Sequence, residues 1–154
     1  MPDTLHIGKA GQLAVMAELA RRGYNVAIPE IDKGDDVFVV NNDTGAMWRI
    51  QVKTSTGRQQ AHSRAYQFRS LQHAITHPQN PELHFAFVLR VPDRWRYIIM
   101  DRAVLNNYVV GQHLGTPAGA YRQISIVLHD NGDAICSGVN LNHHLENWNT
   151  WPAL

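Results

Sequence analysis

The hydrophobic and polar positions in residues 34–54 predict a β-hairpin that has one polar face. Two alternating runs, 36–40 and 47–54, flank the polar turn Asn-Asn-Asp-Thr-Gly, whose composition is typical of a chain reversal. Successive side chains on a strand point to opposite faces, so Gln51 and Lys53 share one face of the second strand. The hairpin therefore presents polar groups where packing alone would favour apolar ones.

A helix is predicted ahead of the hairpin, over about residues 7–22. At 3.6 residues per turn, Val15 and Leu19 lie on its apolar side, and Gln12 lies in the middle of the same arc. A buried amide costs about 1–3 kcal/mol unless it is hydrogen-bonded. Gln12 therefore either faces a polar pocket or stays in contact with water near the start of the helix. Gly23 is expected to end the helix.

The remaining periodicity predicts an α/β domain with a mixed central β-sheet flanked by helices. Further strands are predicted at 25–28, 83–91 and 95–100, a polar mobile loop at 54–65, helices at 68–77, 101–110 and 141–148, and a second hairpin from 121–128 and 133–137. Trp148 and Trp151 are expected to pack the C-terminal segment against the body of the protein. A length of 154 residues suits a single domain, 1–154, with one core.

Composition narrows the class of protein. The chain is 44% hydrophobic and 18% charged, which is ordinary for a globular protein, and no apolar run approaches the roughly 20 residues that span a bilayer. No membrane association and no signal peptide are therefore expected. A single cysteine, Cys136, can form neither an internal disulfide nor a thiolate zinc site, so we expect a reducing, cytoplasmic location.

The charge is only weakly basic, but it is unevenly distributed. The net charge of +1 is smaller than a dedicated nucleic-acid-binding protein usually carries. No acidic residue occurs between Lys53 and Glu82, and Arg58 and Arg64 lie in the predicted loop after the hairpin. These two arginines are candidates to contact backbone phosphates, although a solvated loop without function would have the same composition.

The hairpin residues suit the chemistry of a metal that holds a phosphate. An oxygen from Asp36 and the side-chain carbonyl of Gln51 are the kind of ligand that Mg²⁺ prefers. Such a metal polarises a phosphoryl oxygen and activates a water, and the ammonium of Lys53 can orient that water or stabilise developing charge. The competing interpretation is a hairpin whose Asp, Gln and Lys are ordinary solvated residues.

These residues resemble a known signature. Asp36 followed by Gln51-Val52-Lys53 resembles the D…(E/Q)xK pattern of the PD-(D/E)XK nuclease superfamily. Residues 8–26, with their Gly-Lys-Ala-Gly-Gln start and Arg-Gly-Tyr end, resemble the opening helix and first strand of one branch of that superfamily. That branch contains Holliday junction resolvases and certain intron-encoded endonucleases. The similarity is best over 8–55 and weaker to about residue 100.

The resemblance implies a restriction-endonuclease-like core over about 7–100 and a C-terminal addition over about 101–154. It implies an Mg²⁺- or Mn²⁺-dependent DNA endonuclease, with DNA as partner. By the same resemblance, Asp36 and Gln51 would bind the metal, Lys53 would position the water, and Gln12 would be an outer ligand. A homodimer is expected by analogy, because two copies of one small site related by a twofold axis can cut both strands of a duplex. The second hairpin and the C-terminal segment with its tryptophans lie outside the matched core and are the expected contact surface.

One departure from the pattern weakens the implied catalysis. Gln12 stands where family members usually have a glutamate, so Asp36 is the one carboxylate where two or three are common. Glu30, Asp32 or Asp35 could supply the missing charge. The alternatives are a nuclease-fold module that binds nucleic acid or another partner with weakened or lost catalysis, and a structural subunit without affinity for DNA.

Overall fold

A computed structural model describes residues 3–31, 34 and 36–151. Its helices are α1 (Thr4–Arg21), α2 (Gln72–Thr76) and α3 (Arg102–Gln112), with a 3-10 turn at Asn142–His144. Its strands are β1 (Asn25–Ala27), β2 (Val37–Val40), β3 (Met47–Ser55), β4 (Arg58–Gln59), β5 (Ser63–Leu71), β6 (Leu83–Val91), β7 (Arg94–Asp101), β8 (Thr116–Ala118), β9 (Tyr121–His129), β10 (Ala134–Cys136) and β11 (Val139–Asn140).

The first sheet has the order β1-β2-β3-β6-β7 and contains the predicted hairpin. Strands β3 and β6 run parallel, from the pair Arg49 and Leu83 to the pair Ser55 and Leu89, while the other neighbours are antiparallel. The sheet is therefore mixed and helices flank it, which confirms the predicted α/β fold class.

Helix α1 covers one face of this sheet. Its N-cap, Asp3, accepts a hydrogen bond from the backbone amide of His6, and the chain reverses at Gly23, whose φ of +92° suits glycine. Gly11, Val15 and Leu19 are buried one turn apart, and the two apolar side chains pack on the β2–β3 hairpin. The helix thus joins the hairpin in one core, as its periodicity predicts.

A second sheet covers the other face. Its order is β11-β10-β9-β5-β4, with β8 also paired to β9. Strands β5 and β9 pair along nine residues each, and Phe68 of β5 meets Phe87 of β6 edge to face with ring centres 5.1 Å apart. The prediction of a loop over 54–65 and a helix over 68–77 is therefore wrong. Only residues 72–76 of that stretch are helical.

The segment from residue 121 onward joins the same fold. Strands β9 and β10 form the second predicted hairpin, which is confirmed. The predicted helix over 141–148 is wrong, since only a 3-10 turn forms there. The predicted packing of Trp148 and Trp151 is confirmed, because both side chains are buried, and Trp148 lies edge-on to Tyr97. Among the described residues, no helix combines the length and the apolar character needed to cross a membrane.

Candidate functional site

The β2–β3 hairpin is closed by an asparagine-based turn. Asn41 Oδ1 accepts hydrogen bonds from the backbone amides of Asp43 (2.9 Å) and Thr44 (3.2 Å), and the turn ends at Gly45, whose φ is +72°. The register that follows places Val37 opposite Ile50. The turn chemistry thereby fixes which residues of β3 lie beside the start of β2.

Asp36 immediately precedes β2, and its carboxylate lies against the main chain of β3. Its Oδ2 accepts a 2.7 Å hydrogen bond from the backbone amide of Val52, and its own amide donates to the Ile50 carbonyl at 2.8 Å. Val52 lies between Gln51 and Lys53 in the chain. The structure therefore brings the Asp36 carboxylate to the main chain of the Gln-x-Lys segment.

Gln51 is almost completely buried and uses both ends of its amide. Its Nε2 donates to the carbonyl of Gly34 at 2.8 Å, and its Oε1 accepts from Ser70 Oγ of β5 at 3.0 Å. A carbonyl oxygen has two lone pairs, so one acceptor position remains on Oε1 beside the Ser70 bond. The second sheet thus orients the Gln51 amide.

Lys53 lies two residues further along β3, on the same face as Gln51 by strand alternation. It is partly buried, and its ammonium has no hydrogen-bond or ion-pair partner within the described part of the chain. The neighbouring residues Ile50 and Val52 lie on the opposite face of β3 and pack towards α1. The charge of Lys53 is thus left available for a ligand.

Gln12, on α1, contacts the main chain immediately before β2. Its Nε2 donates a short hydrogen bond to the main-chain carbonyl of Asp36, and its Oε1 accepts from Lys9 Nζ at 2.9 Å. Its position in the apolar arc is therefore explained by hydrogen bonding to the start of β2. In this arrangement Gln12 holds the main chain at Asp36.

The structure gives no hydrogen bond between the other candidate carboxylates and the Gln-x-Lys segment among the residues it describes. Glu30 is exposed in the segment after β1, whereas Asp32 and Asp35 lie outside the described residues. Within residues 3–31, 34 and 36–151, no three His, Cys, Asp or Glu side chains come together as a metal-binding group. Of these candidates, Asp36 is the carboxylate that the described structure shows bound to the Gln-x-Lys segment, at the backbone amide of Val52.

Arg58 and Arg64 lie on paired strands. Arg58 is exposed on β4, and Arg64, on β5, donates to the Thr56 carbonyl from Nε at 3.0 Å and from Nη2 at 2.9 Å. Arg64 thereby holds the turn between β3 and β4. The prediction that the two arginines lie in a loop is wrong, because residues 58–59 and 63–65 are strand.

A cleft of about 640 Å³ opens at the C-terminal end of β3. It is bounded by α1, the β3–β4 turn, β5 and the β6–β7 turn, and its lining includes Arg64, Gln67 and Arg90. Gln12, Asp36, Gln51 and Lys53 do not line it. Sequence reasoning missed Gln67 and Arg90 here, because their positions depend on the unpredicted strand β5 and on the parallel pairing of β3 with β6.

The fold is similar to a solved structure of a bacterial homing endonuclease, I-Ssp6803I. The TM-score is 0.53, the sequence identity is 14%, and the likeness covers 80% of this chain and 78% of that chain. No protein-family model matches the sequence, and the search of curated proteins finds no match. At this level of identity the likeness concerns the fold, so the chain has a nuclease-like fold.

Proposed function

We propose that this protein is a metal-dependent DNA endonuclease that hydrolyses phosphodiester bonds. The observation that carries the proposal is the hydrogen bond from the Val52 amide to Asp36 Oδ2, because it brings a carboxylate to the chain between Gln51 and Lys53. The likeness in fold to a homing endonuclease supports the same reaction class. The D…QxK residues would then be the catalytic group.

The oxygen atoms available here are the type of ligand that Mg²⁺ and Mn²⁺ prefer. The Asp36 carboxylate and the free acceptor position of Gln51 Oε1 are hard oxygen ligands, and Mg²⁺ in proteins commonly uses one or two carboxylates with water and substrate phosphate oxygens. With a single carboxylate, we expect weak binding. When bound, such an ion polarises a phosphoryl oxygen and lowers the pKa of an attacking water.

The side chains have separable roles in this proposal. Asp36 and Gln51 hold the cation, and the Ser70 bond keeps the Gln51 amide in one orientation. The Lys53 ammonium donates to the attacking water or to a phosphate oxygen, where charge develops during the reaction. Gln12 acts as a positioning residue, because it holds the main chain at Asp36.

The test compares Lys53→Ala with the wild type on plasmid, single-stranded and branched DNA, with Mg²⁺ or Mn²⁺. If Lys53 acts mainly on the transition state, cleavage falls steeply while DNA affinity changes little. Arg94→Ala is the matched control, since Arg94 is an exposed cation at the β6–β7 turn and is not one of the D…QxK residues. Equal loss of cleavage in both variants would contradict the assigned role.

A second candidate function is nucleic-acid binding without efficient catalysis. It is favoured by the two amides, because Gln12 and Gln51 carry no charge and both are already hydrogen-bonded within the protein. In that case Lys53 is one phosphate contact among several. Lys53→Ala would then weaken binding modestly and lower the salt slope by about one unit, without metal-dependent cutting in either protein.

A further inference from the structure

We propose that the cleft at the end of β3 holds an unpaired nucleotide of the DNA strand whose phosphate lies at Lys53. This inference rests on the proposed function and adds the kind of substrate, namely DNA with a single-stranded or displaced segment beside the cleaved bond. The cleft has a volume of about 640 Å³ and is separate from the D…QxK residues.

The position of the cleft follows from the parallel pairing of β3 and β6. Ser55 pairs with Leu89, so both strands end at the same edge of the sheet, and the turns that follow them form two of the cleft walls. Ser55 shares its strand face with Lys53 and is the next residue on that face. A strand bound at Lys53 therefore enters the cleft as it continues along β3.

The charge of the cleft suits a phosphate. Arg64 and Arg90 line it, and its lining contains no aspartate or glutamate from residues 3–31, 34 and 36–151. The hydrogen bonds of Arg64 go to neutral acceptors, among them the Thr56 carbonyl and Gln59 Oε1, so no carboxylate in the described part of the chain neutralises its guanidinium. Arg90 is exposed. Two uncompensated cations at one cleft attract an anionic backbone.

The size and the polarity of the cleft suit one nucleotide. Its volume lies within the roughly 300–1,000 Å³ of pockets that hold small molecules, whereas a duplex is read in grooves and along an extended surface. Ile7, Val91 and Pro92 supply an apolar wall for a base, and Gln67 with Ser55 supplies polar groups for its edge or for the sugar. A paired base would have to leave its stack to enter.

The test measures binding of a short fluorescein-labelled oligothymidylate and of a matched hairpin duplex by anisotropy at several salt concentrations. Arg90→Gln removes one cation from the cleft, and Arg94→Gln, at the same β6–β7 turn but outside the cleft lining, is the matched control. We expect Arg90→Gln to weaken oligothymidylate binding several-fold and to lower its salt slope by about 0.7, the value of one single-strand phosphate contact. Arg94→Gln is expected to bind as the wild type does.

A second readout does not depend on any substitution. Titration of the ¹⁵N-labelled protein with the oligothymidylate is expected to shift the amide resonances of Ser55, Thr56, Gly57 and Val91, which line the cleft. Shifts confined to other surfaces, or equal losses of affinity in Arg90→Gln and Arg94→Gln, would overturn the proposal.

The outcomes also separate this inference from the proposed function. Lys53-dependent cleavage of duplex DNA without binding of the oligothymidylate would overturn the cleft assignment and leave the nuclease proposal standing. Oligothymidylate binding at the cleft without any cleavage would support the cleft and contradict the enzyme. Absence of both binding and cleavage would contradict both.

Discussion

Gly11 of α1 and Thr54 of β3 are packed so closely that a Cβ atom on Gly11 would lie 2.0 Å from Thr54 Oγ1. This contact sets how near α1 approaches the sheet, one residue before Gln12 and one residue after Lys53. Gly11→Ala is expected to lower the free energy of unfolding by about 1–3 kcal/mol, because the helix must move away from β3. Urea unfolding measures the change.

Gly8→Ala is the matched control in the same helix. A Cβ on Gly8 meets no atom within 4 Å, so this variant is expected to gain about 0.5–1 kcal/mol from the better helix propensity of alanine. Opposite signs for the two substitutions would support the close approach. Equal stabilisation by both would show that α1 tolerates a side chain at Gly11.

Thr54 offers a second test of this contact. Its Oγ1 is buried and has no hydrogen-bond partner among the described residues. A buried hydroxyl without a partner costs about 1–3 kcal/mol, so Thr54→Val is expected to raise the thermal midpoint of unfolding. The nearby surface variant Thr56→Val, at an exposed position, is the control and should change the midpoint little. A lower midpoint for Thr54→Val would indicate that the hydroxyl has a partner.

Gln12→Glu tests the proposed metal site. Glutamate cannot donate to the Asp36 carbonyl as Gln12 Nε2 does, so we expect a lower thermal midpoint without metal. A second carboxylate near a divalent cation adds roughly 4 kcal/mol per unit charge at 4 Å and an effective dielectric of 20, before solvation losses. The midpoint of the variant should therefore rise more steeply with Mg²⁺ or Mn²⁺ than that of the wild type.

Calorimetry gives the direct measurement for that variant, with Gln123→Glu, an exposed change on β9, as the control for added surface charge. Equal or weaker metal binding by Gln12→Glu would count against Asp36 and Gln51 as metal ligands.

His84 predicts a pH dependence of stability. Burial lowers the pKa of His84 below its ordinary value of 6.5, although Asp101 and Glu82 act in the opposite direction, and its Nδ1 accepts a 2.7 Å bond from Trp151 Nε1. Because the pKa is lower in the folded protein, the unfolded chain binds the proton at a higher pH than the folded protein does. The stabilisation that neutral His84 contributes is therefore fully present when the pH is above the ordinary histidine pKa of 6.5, and it is lost as the pH falls below that value.

The measurement is urea unfolding at roughly pH 7.5 and pH 5 for the wild type and for His84→Gln, which can accept the same bond but does not titrate in this range. The variant should lose less stability on acidification. An identical loss in both proteins would show that other groups are responsible.

Self-association stays a prediction, but the structure reduces the surface that could make the contact. Trp148 and Trp151 are buried against their own chain and so offer no free surface for a second copy. The β9–β10 hairpin remains the candidate contact. Light scattering at tens of micromolar should give twice the mass of the single chain if a twofold dimer forms. A monomer at that concentration would remove the idea.

The sequence predicts the parts of the fold that have strong local signals. Helix α1 has a regular apolar face and ends at Gly23, and the β2–β3 hairpin has clear alternation around an asparagine turn, so both are found close to their predicted bounds. The sequence pattern does not predict strand β5, because the outer face of this strand is polar. Exposed Gln67 and Arg69 alternate with buried Tyr66 and Phe68, a pattern that an antiparallel sheet with one solvated face requires.

The site shows the same division between local and distant information. The spacing of Gln51 and Lys53 on β3 is local and could be read directly. The bond from Ser70 to Gln51 joins residues 19 positions apart on different sheets, and the cleft depends on the pairing of β3 with β6. No local pattern encodes those contacts, because they follow from how the two sheets pack.

The pairing of β5 with β9 has a consequence for how the candidate site forms during folding. Ser70, which orients Gln51, pairs with Arg122, which is synthesised about fifty residues later. This part of the candidate site can therefore form only after that segment is available. Contacts between such distant residues fold slowly, on a scale of about milliseconds to seconds. A nascent chain that has not yet extended through β9 would thus lack the pairing that supports Ser70. If the protein cleaves DNA as proposed, cleavage should appear only after β5 has paired with β9, which stopped-flow refolding followed by timed cleavage assays would measure.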